Sequence, residues 1–241
     1  MWYELAVSAG ALLAGMIAAL AGFGIGSVLT PLLALRVDAK LAVAAVAIPH
    51  VAGTALRFWL LRSRLDRRIF VWFGATSAAG GLAGALLHAW ASSRALAIVF
   101  GGLLLFVGCS ELTGFMSRVR LGRRTAWFVG ALSGLLGGMV GNQGGIRSAA
   151  LLAFETDKRA FVATATAVGL IVDAARLPVY LAGEWPRLVS MAWLIGLATA
   201  GVLLGTVAGM RLLPRIPERV FRIVVALLLL ALGAWMVLRP A

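Results

Sequence analysis

Two glycine-rich stretches hold the residues best suited to bind a ligand. The first is Gly22-Phe23-Gly24-Ile25-Gly26-Ser27, and the second is Gly141-Asn142-Gln143-Gly144-Gly145, followed by Ile146 and Arg147. Each lies inside a long apolar run, at about 5–35 and 126–153. Glycine clusters break a helix, and non-helical backbone at membrane depth is tolerated only where protein or a water-filled cavity surrounds it. A half-helix restarting at about Ser27, with a counterpart at about Ile146, would present unpaired backbone N–H groups and the positive end of a dipole. Such ends bind anions without needing a lysine or arginine. Gly22, Gly24, Gly26 and Ser27, with Gly141, Asn142, Gln143, Gly144 and Gly145, are therefore candidate substrate-binding positions. The plain alternative is that glycines only let helices pack closely. That suits Gly80, Gly84, Gly201 and Gly205 better than the breaks, because packing does not require Asn142 and Gln143 at one spot.

Three arginines extend the candidate set. Arg147 sits in the first turn after the second break, an unfavourable place for a cation unless an anion or carboxylate compensates it, or unless it snorkels or pairs elsewhere. Arg57 and Arg176 lie within apolar crossings, where charged residues usually face the bundle interior and mark a pathway. A guanidinium suits oxyanions because its planar fork donates two hydrogen bonds. For Arg176 the alternative is an ordinary same-face pair with Asp173, three residues earlier. Asp173 and His50 are the titrating groups deep within crossings and the candidates for proton coupling, with Glu111 nearer an end. Thr54, Thr164 and Thr166 could line the same interior, but helical threonines also bond their own backbone.

Positioning these residues falls to membrane helices. The chain has 241 residues, 62% hydrophobic and 13% charged, too much apolar surface for one soluble core. Apolar runs lie at about 5–35, 41–61, 69–90, 94–110, 126–153, 158–182, 188–209 and 217–238. Six fit one crossing each; the first and fifth read as broken helices. Adding 119 to the residue number superimposes Gly15 on Gly134, Gly22 on Gly141, Gly26 on Gly145, Asp38 on Asp157 and Arg57 on Arg176. Glycine, aspartate and arginine matches in one register point to a duplication, with repeats at 1–115 and 122–241.

The formal charge of +13 resides mainly in short stretches between apolar runs, which orient membrane helices, so no nucleic-acid partner is expected. The basic clusters at 62–68, 118–124 and 211–222 all become cytoplasmic only if the broken runs re-enter on the face they came from. Each half is then a re-entrant hairpin plus three crossings, and the halves are inverted, a recurrent transporter architecture. The fold expected is an all-α polytopic membrane protein.

The stretch from Gly15 to Leu35, with Gly22 to Ser27 followed by Pro31, resembles the first-repeat motif of the sulfite exporter TauE/SafE family, and Gly134 to Leu152 resembles its second copy. The resemblance covers essentially the whole chain. It implies export of a small sulfur-containing or organic oxyanion, such as sulfite or a sulfonate, across the bacterial inner membrane. One departure stands out: Asn142 and Gln143 interrupt the second glycine run, and Ala150 replaces the proline found in the first copy as Pro31.

Enzyme chemistry has little support. His50 and His88 show no metal-ligand spacing, Cys109 has no nearby base in sequence, and Gly22 to Gly26 lacks the ending of a phosphate loop. No cofactor is expected. An intramembrane enzyme using Asp173, His50 or Glu111 on a lipid-soluble substrate, and a scaffold whose breaks serve only packing, are the competing readings. The expected partners are a small anion and the lipid bilayer, and a homodimer is compatible with the sequence.

Overall fold

A computed structural model describes residues 2–118, 122–142, 144–151, 154, 158–212 and 218–238. Among them the chain is helical, without strands. The first half comprises α1 (Trp2–Ala21), α2 (Ile25–Leu33), α3 (Ala39–Leu61), α4 (Arg67–Trp90), α5 (Ser93–Thr113) and the short α6 (Phe115–Arg118). The second comprises α7 (Arg123–Val140), α8 (Gly144–Leu151), α9 (Lys158–Ser190), α10 (Ala192–Leu212) and α11 (Glu218–Leu238). Polar residues start several of these helices: Asp38 accepts from the Leu41 N–H at 3.0 Å, Asp66 from Arg68 and Ile69, and Ser92 from Ala95.

Among the described residues, seven helices are long and apolar enough to cross a membrane: α1, α3, α4, α5, α9, α10 and α11. This is a multi-pass membrane protein. The count departs from six single crossings because α1, the first arm of the first broken run, is itself 20 residues, about 30 Å long. Its counterpart α7 opens on Arg123 and Arg124, and its apolar stretch covers only Thr125–Val140. The outer surface is apolar: Trp90 is 90% exposed, Phe128 79% and Leu238 78%, as lipid-facing side chains should be. Exposed tryptophans fall near helix ends, at Trp2, Trp59, Trp72, Trp90, Trp185 and Trp193, where amphipathic rings sit at headgroup level.

Both broken runs break at their glycines. Gly22 and Gly141, equivalent by the 119-residue offset, both have φ of 76°, a left-handed backbone that glycine adopts without strain. After the first break α2 turns back along α1. The Tyr3 hydroxyl donates to the Leu32 and Leu33 carbonyls at 3.3 and 3.4 Å, and the Arg36 guanidinium lies 4.6 Å from the Tyr3 ring centre. The chain therefore leaves this hairpin close to where it entered.

Packing between the halves is reciprocal. Helix α1 packs on α10 and its counterpart α7 packs on α4, while α3 packs on α9 and α5 on α11. Small residues make the first two contacts close. A methyl on Gly84 would strike the Leu135 carbonyl, and one on Gly205 the Leu12 carbonyl, so these glycines serve helix packing.

Candidate functional site

The two breaks meet. The Asn142 side-chain amide donates to Ser27 Oγ at 3.0 Å. A Cβ on Gly26 would lie 2.5 Å from the Gly141 carbonyl oxygen, and one on Gly144 would collide with the Phe23 side chain. Phe23, Gly26 and Ser27 of one break thus interlock with Gly141, Asn142 and Gly144 of the other. Helix α2 starts at Ile25 and α8 at Gly144, two residues earlier than the expected Ser27 and Ile146. The cause is the brevity of the break: once past its left-handed glycines, the backbone resumes α geometry within the glycine run. Gly24 caps α2 without a side-chain hydrogen bond. Gln143 lies outside the described residues.

Arg147 extends from α8 toward the first break. Its Nη2 donates to the Gly22 carbonyl at 3.4 Å, and its guanidinium fills space beside Gly169 of α9. The residue is only 4% exposed, so it does not snorkel. Its Nε and Nη1 are buried with no partner among the described residues.

Arg57 and Arg176 occupy equivalent places. Arg57 Nη1 donates to the Ala18 carbonyl near the end of α1, and Arg176 Nη1 donates to the Gly137 carbonyl near the end of α7 at 3.0 Å. Residues 18 and 137 are themselves 119 apart, so the repeat reproduces the contact atom for atom. Each guanidinium sits at the negative end of a helix dipole, on a last-turn carbonyl that also accepts the backbone N–H of the break glycine, Gly22 at 3.0 Å or Gly141 at 2.9 Å. Tyr180, one turn beyond Arg176, adds a hydroxyl bond to the Gly138 carbonyl.

The surroundings of these two arginines differ. Asp173 Oδ1 lies 2.9 Å from Arg176 Nε and 2.8 Å from Nη2, and its Oδ2 lies 2.7 Å from His50 Nδ1. The same-face pair expected for Arg176 is present, and the proton-coupling candidates His50 and Asp173 are in direct contact. Asp173 minus 119 is Thr54. Arg57 accordingly faces a hydroxyl, Nη2 to Thr54 Oγ1 at 3.3 Å, and its Nε has no partner among the described residues. Arg57 and Arg147 both reach the first broken run, through the Ala18 and Gly22 carbonyls.

The remaining sequence candidates fall elsewhere. Thr166 bonds its own backbone at Val162, and Thr164 accepts from the Asp66 N–H. Glu111 pairs with Arg222 at 3.1 Å. His88 holds the Met139 carbonyl at 2.9 Å and packs on Tyr180. Among the described residues no cluster of histidine, cysteine, aspartate or glutamate could hold a metal.

Sequence reading passed over three features. The Ala18 and Gly137 carbonyls carry no side-chain signal, although their 119-residue spacing does. Tyr180 was legible as the residue one turn from Arg176 on the same helix face. The third feature is a polar junction at one end of the bundle, where Arg187 pairs with both Asp38 and Glu184, and Ser93 donates to Asp38 at 2.8 Å. Partial burial opposes ionisation of Asp38, but the bonds from Arg187, Leu41 and Ser93 outweigh it and hold the carboxyl below its usual range. Arg187 minus 119 is Arg68, so this pair too had a repeat signature.

The family model described as Sulfite exporter TauE/SafE matches residues 7–236. No curated protein and no solved structure matches the chain.

Proposed function

This chain belongs to the sulfite exporter TauE/SafE family, and we propose that it is a secondary transporter which binds a small oxyanion between its two breaks and exposes it alternately to the two sides of the membrane. The observation that carries this reading is the meeting of the breaks beside Arg57 and Arg147, two buried guanidiniums with unpartnered N–H groups. A buried cation is costly unless an anion or a carboxylate answers it. The half-helices α2 and α8 add the positive ends of their dipoles at the same place.

In this mechanism Gly22, Gly24, Gly26, Ser27 and Gly141 to Gly145 bring backbone close to the anion, and Asn142 contributes an amide. Arg147 and Arg57 supply charge-assisted bonds through the atoms left unpartnered. Arg176, bound to Asp173, serves mainly to hold α9 against α7. The halves are inverted repeats, and their reciprocal packing supports equivalent inward- and outward-facing arrangements. The hydrogen-bonded His50 and Asp173 are the groups that would carry a coupled proton.

The test is counterflow in proteoliposomes with a panel of small anions, including sulfite, sulfate, sulfonates and carboxylates. Saturable exchange of an oxyanion, lost in Arg147→Gln, is expected. Absence of exchange for every anion, in protein shown to be folded, refutes the transporter reading.

A further inference from the structure

We infer that the central site is built for a doubly charged oxyanion and that Thr54 sets this valence, an inference resting on the anion-binding reading above. The argument begins with charge. Arg57 and Arg147 are 4% exposed, Arg176 1% and Asp173 0%, so all four charges are withdrawn from water. Three guanidiniums against one carboxylate leave a surplus of two positive charges. Asp173 is the only carboxylate paired with any of these arginines among the described residues, and both of its oxygens are engaged, by Arg176 and His50. It has no oxygen left to answer Arg57 or Arg147 directly.

The internal repeat identifies which residue creates the surplus. Arg57 and Arg176 make the same contact to equivalent carbonyls, Ala18 and Gly137. Three residues before each arginine stands its side-chain partner, Asp173 in the second half and Thr54 in the first. The threonine hydroxyl bonds Arg57 but leaves its charge whole and its Nε without a partner. Arg147 is the second unmatched charge, and its repeat equivalent is the uncharged Val28. The first half thus supplies one unanswered cation through Thr54, and the second supplies another through Arg147. Both adjoin the first break: Arg57 through Ala18 and Arg147 through Gly22. A dianion there neutralises the surplus. A monoanion leaves one buried charge uncompensated, a penalty that water cannot screen in such a site.

Binding to the purified, reconstituted full-length protein at pH 8, where an ordinary imidazole is neutral, separates the possibilities. The probes are sulfate, a dianion, and methanesulfonate, a monoanion of similar size and tetrahedral shape. The wild type is expected to favour sulfate by about tenfold or more, since one unit of buried charge is worth at least that ratio. Thr54→Asp should supply the first half with the carboxylate it lacks, weakening sulfate by on the order of 30-fold and the monoanion methanesulfonate by clearly less. Thr54→Asn, similar in size but neutral, should retain the preference. If Thr54→Asp does not fold, Arg147→Gln also lowers the surplus to one, and it should weaken sulfate more than methanesulfonate. An unchanged sulfate-to-methanesulfonate ratio in either charge-altering variant, with binding retained, overturns the valence inference and leaves anion binding standing. Failure of the wild type to bind either probe overturns the anion-site reading as well.

Discussion

Replacing Arg147 by glutamine should have effects of opposite sign on ligand affinity and on ligand-free stability. In the ligand-free protein Arg147 contributes one long bond, 3.4 Å to the Gly22 carbonyl, while Nε and Nη1 are buried without partners among the described residues. A bond to a charged group is worth about 1.5–3 kcal/mol at good geometry, and this one falls below that range. Against it stands the desolvation of the guanidinium, several kcal/mol for an uncompensated ion, and the like charge of Arg57 at the same broken run. Arg147→Gln should therefore leave ligand-free stability unchanged or raise it. Oxyanion affinity should fall by about 2 kcal/mol, one charge-assisted bond lost without replacement, or roughly 30-fold in Kd. Arg147→Lys should recover only part, since an ammonium keeps the charge but lacks the planar fork. The assay is equilibrium binding at matched folded fraction, with thermal unfolding followed with and without ligand. At a ligand concentration 100 times the wild-type Kd, linkage stabilises the wild type by about 2.7 kcal/mol and should stabilise the variant by only about 0.9. Wild-type affinity in Arg147→Gln alongside weakened binding in Arg57→Gln would place the anion elsewhere on the path. A large loss of ligand-free stability would make Arg147 a structural residue.

Leucine at Gly26 or Gly141 should abolish transport without a proportional loss of folded protein, because Gly26 has no room beside the Gly141 carbonyl and Gly141 holds a positive φ against Arg176; wild-type flux in both would reduce the breaks to packing devices. Cysteine labelling should find Ser63 and Gly122 on the cytoplasmic side and Ser92 and Gly183 on the other, and finding the 211–222 loop opposite Ser63 would refute the re-entrant topology. Because the Asp38 carboxyl is held below its usual range, its stabilising contribution is complete above the unfolded-state value near 4 and is lost as pH falls through the lower folded-state value. Asp38→Asn should accordingly melt lower than wild type at pH 7 and converge with it in stronger acid, and an equal gap at every pH would remove the carboxylate's charge from the account.

Some of this arrangement was written locally in the sequence, and some only through the duplication. Glycine clusters inside overlong apolar runs marked both breaks, because a positive φ and a close backbone approach each exclude a side chain. The Asp173–Arg176 pair followed from helical spacing alone. The contact between Asn142 and Ser27 did not, since 115 residues separate them and only the tertiary fold aligns two helix ends. Arg57 was legible as a buried cation but not as the cap of α1, because its acceptor is a main-chain carbonyl that any residue type at position 18 would offer. The helix starts at Ile25 and Gly144 were misplaced by two residues, as glycine can both break a helix and begin the next one.

Duplication and divergence divide the labour at the centre of the fold. Contacts shared by both halves are made to backbone: Arg57 to the Ala18 carbonyl, Arg176 to the Gly137 carbonyl, and the left-handed turns at Gly22 and Gly141. These fix each broken helix to the crossing beside it, and the proposed alternating-access mechanism would keep that attachment on both sides. Contacts that differ are made by side chains. His50 corresponds to Gly169, Thr54 to Asp173 and Val28 to Arg147; in the folded protein His50 contacts both Asp173 and Thr54, and Gly169 makes room for the Arg147 guanidinium. Substitution at such positions alters charge without disturbing the attachment of the hairpins, because the carbonyl-bound Nη1 atoms belong to residues that both halves keep. In the proposed mechanism the symmetric contacts provide the movement and the asymmetric ones select the anion. Thr54→Asp, which changes the charge balance and leaves both carbonyl-bound arginines in place, should therefore change selectivity more than it changes the maximal rate of exchange.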